Sequence, residues 1–207
     1  MNIYAIGDIH GCLSELTSLH KKILTNDKFK VKEDLIIYLG DYIDRGLKSK
    51  QAIDQIIKLE NSKIKTKYLM GNHEEFMIDF LFNKKNNIEN WLNFGVDQTF
   101  KSYDIEIVEF IKDGFEDNVI DRLRNTLLEK MDTTHIDFFN KLELSFSTGK
   151  YLFVHAGIDP DKNLTEQSKK DYLWSRSNDF FDKNFKAKKI IVHGHTPEEN
   201  VISNPYR

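Results

Sequence analysis

The chain has one cysteine, three prolines and little net charge, and each shortage excludes something. With Cys12 alone there is no intrachain disulfide, and a zinc site built from thiolates is excluded as well. A formal charge of −3 over 207 residues offers no basic field for a polyanion, so nucleic acid is not an expected partner. No apolar run approaches the roughly 20 residues of a membrane span, and the first residues enter an apolar strand without a basic leader. These absences point to a cytoplasmic protein without membrane contact, expected as a monomer. No linker rich in Pro, Gly or Ser divides the chain, so residues 1–207 are expected to form one domain.

Against this plain background stand four short runs: Gly7-Asp8-Ile9-His10-Gly11, Gly40-Asp41-Tyr42-Ile43-Asp44-Arg45-Gly46, Gly71-Asn72-His73-Glu74 and His193-Gly194-His195-Thr196-Pro197. Each ends an apolar segment and gathers oxygen or nitrogen donors. One such run alone is a turn with a polar cap. Four in series, holding four of the seven histidines, are not explained by turns.

The order of elements explains how they could meet. Ile3–Ile6, Leu35–Leu39 and Tyr68–Met70 are apolar runs, and each leads into a donor-bearing turn. Helical patterning follows at Leu13, Leu16, Leu19, Ile23 and Leu24, and again at Ile53, Ile56, Ile57 and Leu59, with Ser49 expected as an N-cap. The spacing from Asp8 to Asp41 and on to Asn72 is that of strand–helix–strand crossovers, which predicts parallel strands. The carboxyl ends of parallel strands open on one edge, where ligands bind. From about residue 75 to 150 the pattern predicts a helical insertion without strands, its aromatic residues serving as core. Strands return at Tyr151–Val154, ending in His155-Ala156-Gly157, and at Lys189–Val192.

The donors divide between two cations. Asp8, His10 and Asp41 suit one, and Asp41, Asn72, His155 and His195 suit the other, with Asp41 as the bridge. Oxygen and nitrogen donors without sulfur favour manganese, with iron and zinc as alternatives, over calcium or magnesium. Two such cations can activate water for attack on phosphorus. His73 adjoins Asn72 and is placed as general acid, with Asp44 to orient it. Arg45 and Arg176 have the planar fork that grips phosphate oxygens, beside Asn72 as a further substrate contact. His20 and His135 fall outside the runs and are expected to be structural, His193 to pack beside the site, and Cys12 to be a small packing residue at a helix start.

This set of motifs, with Val154-His155-Ala156-Gly157, resembles the phosphoprotein phosphatase family of metallophosphoesterases, and Trp91-Leu92 and Trp174-Ser175-Arg176 are similar to its bacterial and phage members. The resemblance implies an α/β fold, a calcineurin-like sandwich of two mixed sheets flanked by helices, with a dinuclear centre at the strand edge. It implies the same ligands (Asp8, His10, Asp41, Asn72, His155, His195), the same acid pair (His73, Asp44) and the same phosphate clamps (Arg45, Arg176). Pro197 stands where nucleases and cyclic-nucleotide phosphodiesterases of the wider superfamily carry histidine. The leading expectation is therefore hydrolysis of phosphomonoesters, with phosphoserine or phosphothreonine in a protein as substrate. A symmetric dinucleoside tetraphosphate hydrolase is the alternative, although such enzymes usually show Asp where Glu74 stands. A small-molecule phosphatase is also compatible. The resemblance further implies strands beyond Pro197 to close the second sheet, and the ten residues that follow suggest a truncated or minimal member.

Overall fold

The computed structural model describes residues 1–84, 86–112, 114–176 and 188–197. Strand β1 (Ile3–Ile6) is followed by α1 (Leu13–Leu24), β2 (Leu35–Tyr38), α2 (Ser49–Glu60) and β3 (Lys65–Tyr68). Long helical crossovers leave each strand running the same way, and the first sheet is parallel throughout, in the order β1-β2-β3. Six helices come next: α3 (Asn72–Leu81), α4 (Ile88–Leu92), α5 (Val96–Ser102), α6 (Ile107–Ile111), α7 (Asp117–Lys130) and α8 (Thr133–Asn140). The second sheet consists of β4 (Ser145–Thr148), β5 (Tyr151–Val154) and, after α9 (Lys169–Trp174), β6 (Ile190–Val192). Here β4 and β5 are antiparallel and β5 and β6 parallel, so only this sheet is mixed among the described residues.

Period-two alternation decides what each face of a strand buries. Leu35, Ile37 and Leu39 turn toward the second sheet and share a core with Leu69 and Phe153. Ile36 and Tyr38 turn the other way, into the larger core built with the helices around Ile53, Phe80, Trp91 and Phe138. On the outer face of the second sheet, Leu152, Val154 and Ile191 pack with Ile158, Leu164 and Tyr172. The two sheets thus lie face to face, with helices outside.

Several expectations need correction. The third strand is Lys65–Tyr68, not Tyr68–Met70: it is an edge strand whose lysines supply solvent-facing charge, so its apolar signal is weak. The helical insertion stops short of residue 150, because Ser145–Thr148 is a strand that carries one large apolar residue, Phe146. Ser49 is the first residue of α2, and Lys48 occupies the cap position. Cys12 is exposed rather than packed. Closure of the second sheet beyond Pro197 concerns residues outside those described.

Candidate metal centre

The turns that follow β1 and β2 are tied together before any side chain takes part. The N–H groups of Ile9 and His10 donate to Asp41 O at 2.8 and 2.9 Å, Gly11 N–H to Tyr42 O at 2.9 Å, and Gly46 N–H to His10 O at 3.0 Å. Glu74 completes the stitching. Its buried carboxylate accepts from the N–H groups of Asp41 (2.8 Å), Tyr42 (2.8 Å) and Gly71 (2.9 Å). The positive φ angles of His10 (43°), Asp41 (55°), Asp44 (70°), Arg45 (65°) and His195 (65°) all fall in these motifs. Such backbone costs about 1–3 kcal/mol per residue and persists where surrounding contacts overrule it.

Two clusters of donor atoms result, each with its atoms within 4.8 Å of one another: His10, Asp41 and His73, and Asp41, His155 and His195. Asp41 belongs to both. Its Oδ2 lies 3.5 Å from His10 Nε2 and 3.8 Å from His73 Nε2, while Oδ1 lies 3.4 Å from His155 Nε2. Asn72 Oδ1 is 2.9 Å from His155 Nε2, and His195 Nδ1 is 3.1 Å from it. Asp8 is exposed and stands outside both clusters, its carboxylate accepting the His195 N–H at 3.0 and 3.1 Å.

The protonation pattern favours a cation. His10 Nδ1 lies 2.8 Å from Ile43 O, and His155 Nδ1 lies 2.8 Å from Leu39 O. A carbonyl only accepts, so both rings carry their proton on Nδ1 and present a lone pair at Nε2. His10 Nε2 is buried without a hydrogen-bond partner among the described residues. The Nε2 of His155 faces two further oxygens, Asn72 Oδ1 and Asp41 Oδ1. Burial holds His10 down to about 4, His155 to about 3 and His195 to about 4, so all three are neutral near pH 7. Burial, then the negative charges of Glu74 and Asp8, push Asp41 well above the usual carboxylate range. Convergent lone pairs and crowded carboxylates are what a divalent cation relieves, and the donor set fits one.

Beside the clusters, His73 Nδ1 donates to Asp44 Oδ2 at 2.6 Å, and both residues are fully buried. Arg45 Nη2 lies 3.4 Å from His73 Nε2. Arg176 Nε donates to His195 Nε2 at 3.1 Å, and both arginines are exposed. Trp174, just before Arg176, donates its indole N–H to Glu75 at 2.7 Å. A cavity of about 270 Å³ opens next to Arg176, lined also by Trp174 and Lys170.

The roles of three residues in this neighbourhood escape sequence reasoning, although Glu74 and Trp91 stand in quoted motifs. Glu74 acts on backbone from a motif position and has no local signature for that role. Trp91 and Thr99, both buried on the helical segment, bond Asp44 across some fifty residues of sequence. The remaining histidines sit elsewhere. His193 Nδ1 lies 3.0 Å from Gly194 O, outside both clusters. His20 lies between Tyr38 and Gln55, and His135 between Tyr103 and Asp54.

Comparison with known proteins accords with this geometry. The calcineurin-like phosphoesterase family matches residues 1–206. A symmetrical bis(5'-nucleosyl)-tetraphosphatase of Buchnera aphidicola subsp. Schizaphis graminum is 35% identical over 170 residues, 82% of this chain and 49% of the relative. That of Actinobacillus succinogenes is 29% identical over 164 residues, 79% of this chain and 47% of the relative. An asymmetrical bis(5'-nucleosyl)-tetraphosphatase of Anoxybacillus flavithermus is 25% identical, covering 93% of this chain and 77% of the relative. The chain thus spans about half the length of the symmetrical relatives. Among solved structures, a cold-active protein-tyrosine phosphatase of a psychrophilic Shewanella shares the fold at TM-score 0.55 and 16% identity, covering 98% of this chain and 67% of the other. With nearly its whole length matched, this chain belongs to the calcineurin-like phosphoesterase family, whose members are hydrolases that use divalent metals.

Proposed function

We propose that this protein is a two-metal phosphohydrolase acting on dinucleoside tetraphosphates. The observation that carries the reading is the Asp41 carboxylate, one oxygen facing the His10 cluster and the other the His155 cluster. Asp8, His10 and Asp41 would hold one cation, and Asp41, Asn72, His155 and His195 the other. Two bound cations, with manganese the leading choice and iron and zinc next, supply Lewis acidity and lower the pKa of water.

The chain's own residues have the remaining tasks. Asp44 fixes the His73 ring through Nδ1, which leaves Nε2 toward the cluster to give a proton to the leaving oxygen. Were His195 to hold a cation through Nδ1, its ring proton would sit on Nε2 and would exclude the bond from Arg176. The guanidinium would then be free to join Arg45 on the phosphate oxygens. The cavity beside Arg176 leaves room for more than a phosphate group.

The choice of substrate class follows the relatives, which bear the name of bis(5'-nucleosyl)-tetraphosphatases. A phosphoserine or phosphothreonine protein phosphatase, the leading expectation from motifs, has less support. Glu74, the position that leaned that way, is spent on three backbone N–H groups and carries no substrate information. The test is a comparison of kcat/KM for diadenosine tetraphosphate, a phosphothreonine peptide and bis(p-nitrophenyl) phosphate with manganese present. The dinucleotide should lead by about tenfold or more. A faster phosphopeptide would restore the protein phosphatase reading, and a faster bis-ester would remove both.

A further inference from the structure

The turn that carries Asp44 and Arg45 is held by a segment outside the donor-bearing motifs. Trp91 in α4 donates its indole N–H to Asp44 Oδ2 at 2.6 Å. Thr99 in α5 donates its hydroxyl to Asp44 Oδ1 at 2.6 Å and accepts the Asp44 N–H at 2.8 Å. Between the two helices, Gly95 O accepts the Arg45 N–H at 3.0 Å. Gly95 has φ +82°, and a Cβ there would stand 3.0 Å from Arg45 N and 3.2 Å from its Cα. A side chain at this position is therefore disfavoured twice, by the positive φ and by close contact with the Arg45 backbone.

Packing alone does not account for this pattern. Trp91, Thr99, Asp44 and His73 are all fully buried, and a core needs only apolar volume from the first two. Instead their polar hydrogens converge on one carboxylate. An indole can only donate, and a hydroxyl has a single hydrogen. With the His73 Nδ1 proton, Asp44 accepts three hydrogen bonds on two oxygens, so neither the carboxylate nor the ring is free to turn. Asp44 and Arg45 both keep positive φ, so this turn depends on support from outside.

We propose that Trp91, Gly95 and Thr99 are positioning residues: they hold the Asp44–His73 pair and Arg45 in register with the donor clusters. The catalytic consequence rests on the reading of His73 as proton donor. The geometric claim stands apart from it and has its own readout.

The experiment compares Thr99→Val, Thr99→Ser and Trp91→Phe with the unaltered chain, each loaded with diamagnetic zinc. In the proton NMR spectrum the His73 Nδ1 proton, deshielded by its short bond to Asp44, should persist in Thr99→Ser and vanish or broaden in Thr99→Val and Trp91→Phe. In turnover, Thr99→Val and Trp91→Phe should lower kcat on an alkyl phosphate about 10–100-fold with KM nearly unchanged. With p-nitrophenyl phosphate, whose leaving group needs little protonation, the loss should stay below about threefold, and Thr99→Ser should recover both rates. In an Asp44→Asn background, Thr99→Val should add no further loss. A His73 signal unchanged in both Thr99→Val and Trp91→Phe, or losses that multiply with Asp44→Asn, would overturn the proposal. If His73→Ala slows both substrates equally while the NMR pattern holds, the acid reading of His73 fails and the positioning claim survives.

Discussion

On the first sheet, the turns after β1 and β2 are fastened to one another through main-chain N–H and C=O groups, and the Glu74 carboxylate ties the turn after β3 to them through three more N–H groups. On the second sheet the fastening is thinner. Gly194 N–H donates to His155 O at 2.8 Å, and His195 reaches the first sheet through its N–H on the Asp8 side chain. The His155 ring is tethered to the end of β2 by a bond from Nδ1 to Leu39 O. The first half of the site is thus built by the backbone before any donor acts, whereas the second half leans on the donors' own side chains. Backbone stitching fixes position with groups that no substitution except proline removes, so damage there comes mainly through shape. Side-chain tethers fail one residue at a time.

Two glycines offer the sharpest way to break that comparison. A Cβ on Gly46 would drive into His10 O and the Gly11 backbone, neither of which can move without opening the stitching. A Cβ on Gly194 would meet Asp8 Oδ1 at 2.5 Å, the far end of a side chain that can rotate. Gly46→Ala should therefore cost about 3 kcal/mol, the upper end of overpacking effects, and Gly194→Ala less than about 1 kcal/mol. Denaturant midpoints at constant slope measure both, and equal costs would erase the contrast.

Glu74→Gln sharpens it at smaller scale. The amide keeps the shape but sets an NH₂ against a buried N–H, for an expected loss of about 1–3 kcal/mol. Metal content should fall with it, since Asp41 N–H and Tyr42 N–H are among the bonds disturbed. A variant as stable as the parent would show that the main-chain bonds between turns suffice.

Acidity provides a gentler test of both halves together. Burial holds His10 and His195 near about 4 and His155 near about 3 in the folded chain, below the ordinary 6.5. Depressed folded values mean that unfolding takes up protons in acid, so their stability is whole above pH 6.5 and drains away as pH falls toward about 4. Asp41 and Glu74, both raised by burial, oppose this, while His20, lowered by burial, joins the other three histidines. The urea midpoint of the metal-free protein should decline from pH 7 to pH 5. A level or rising midpoint would contradict neutral buried imidazoles.

Much of this was legible in sequence, for a physical reason. Crossovers of about thirty residues force parallel strands, and parallel strands bring Asp8, Asp41 and Asn72 to one edge even though they are far apart in the chain. His10, Asp41, His73, His155 and His195 accordingly lie at one place, whereas Asp8 and His193 stand outside both donor clusters. What stayed hidden was encoded outside local pattern. Lys65 and Lys67 mask an edge strand, and Ser145–Thr148 pairs with β5 despite a polar composition. Thr99 and Gly95 bear on Asp44 and Arg45 only after the helices fold back, which no periodicity announces.

The central claim is that Asp41 serves both halves of the site at once. The direct measurement is metal content per chain after equilibration with manganese and removal of unbound ions, for the unaltered protein and for Asp41→Asn. Loss of a shared charge and donor should take the count from two ions to one or none. Two ions retained by Asp41→Asn would contradict the bridge, and with it the account of how the sheets meet.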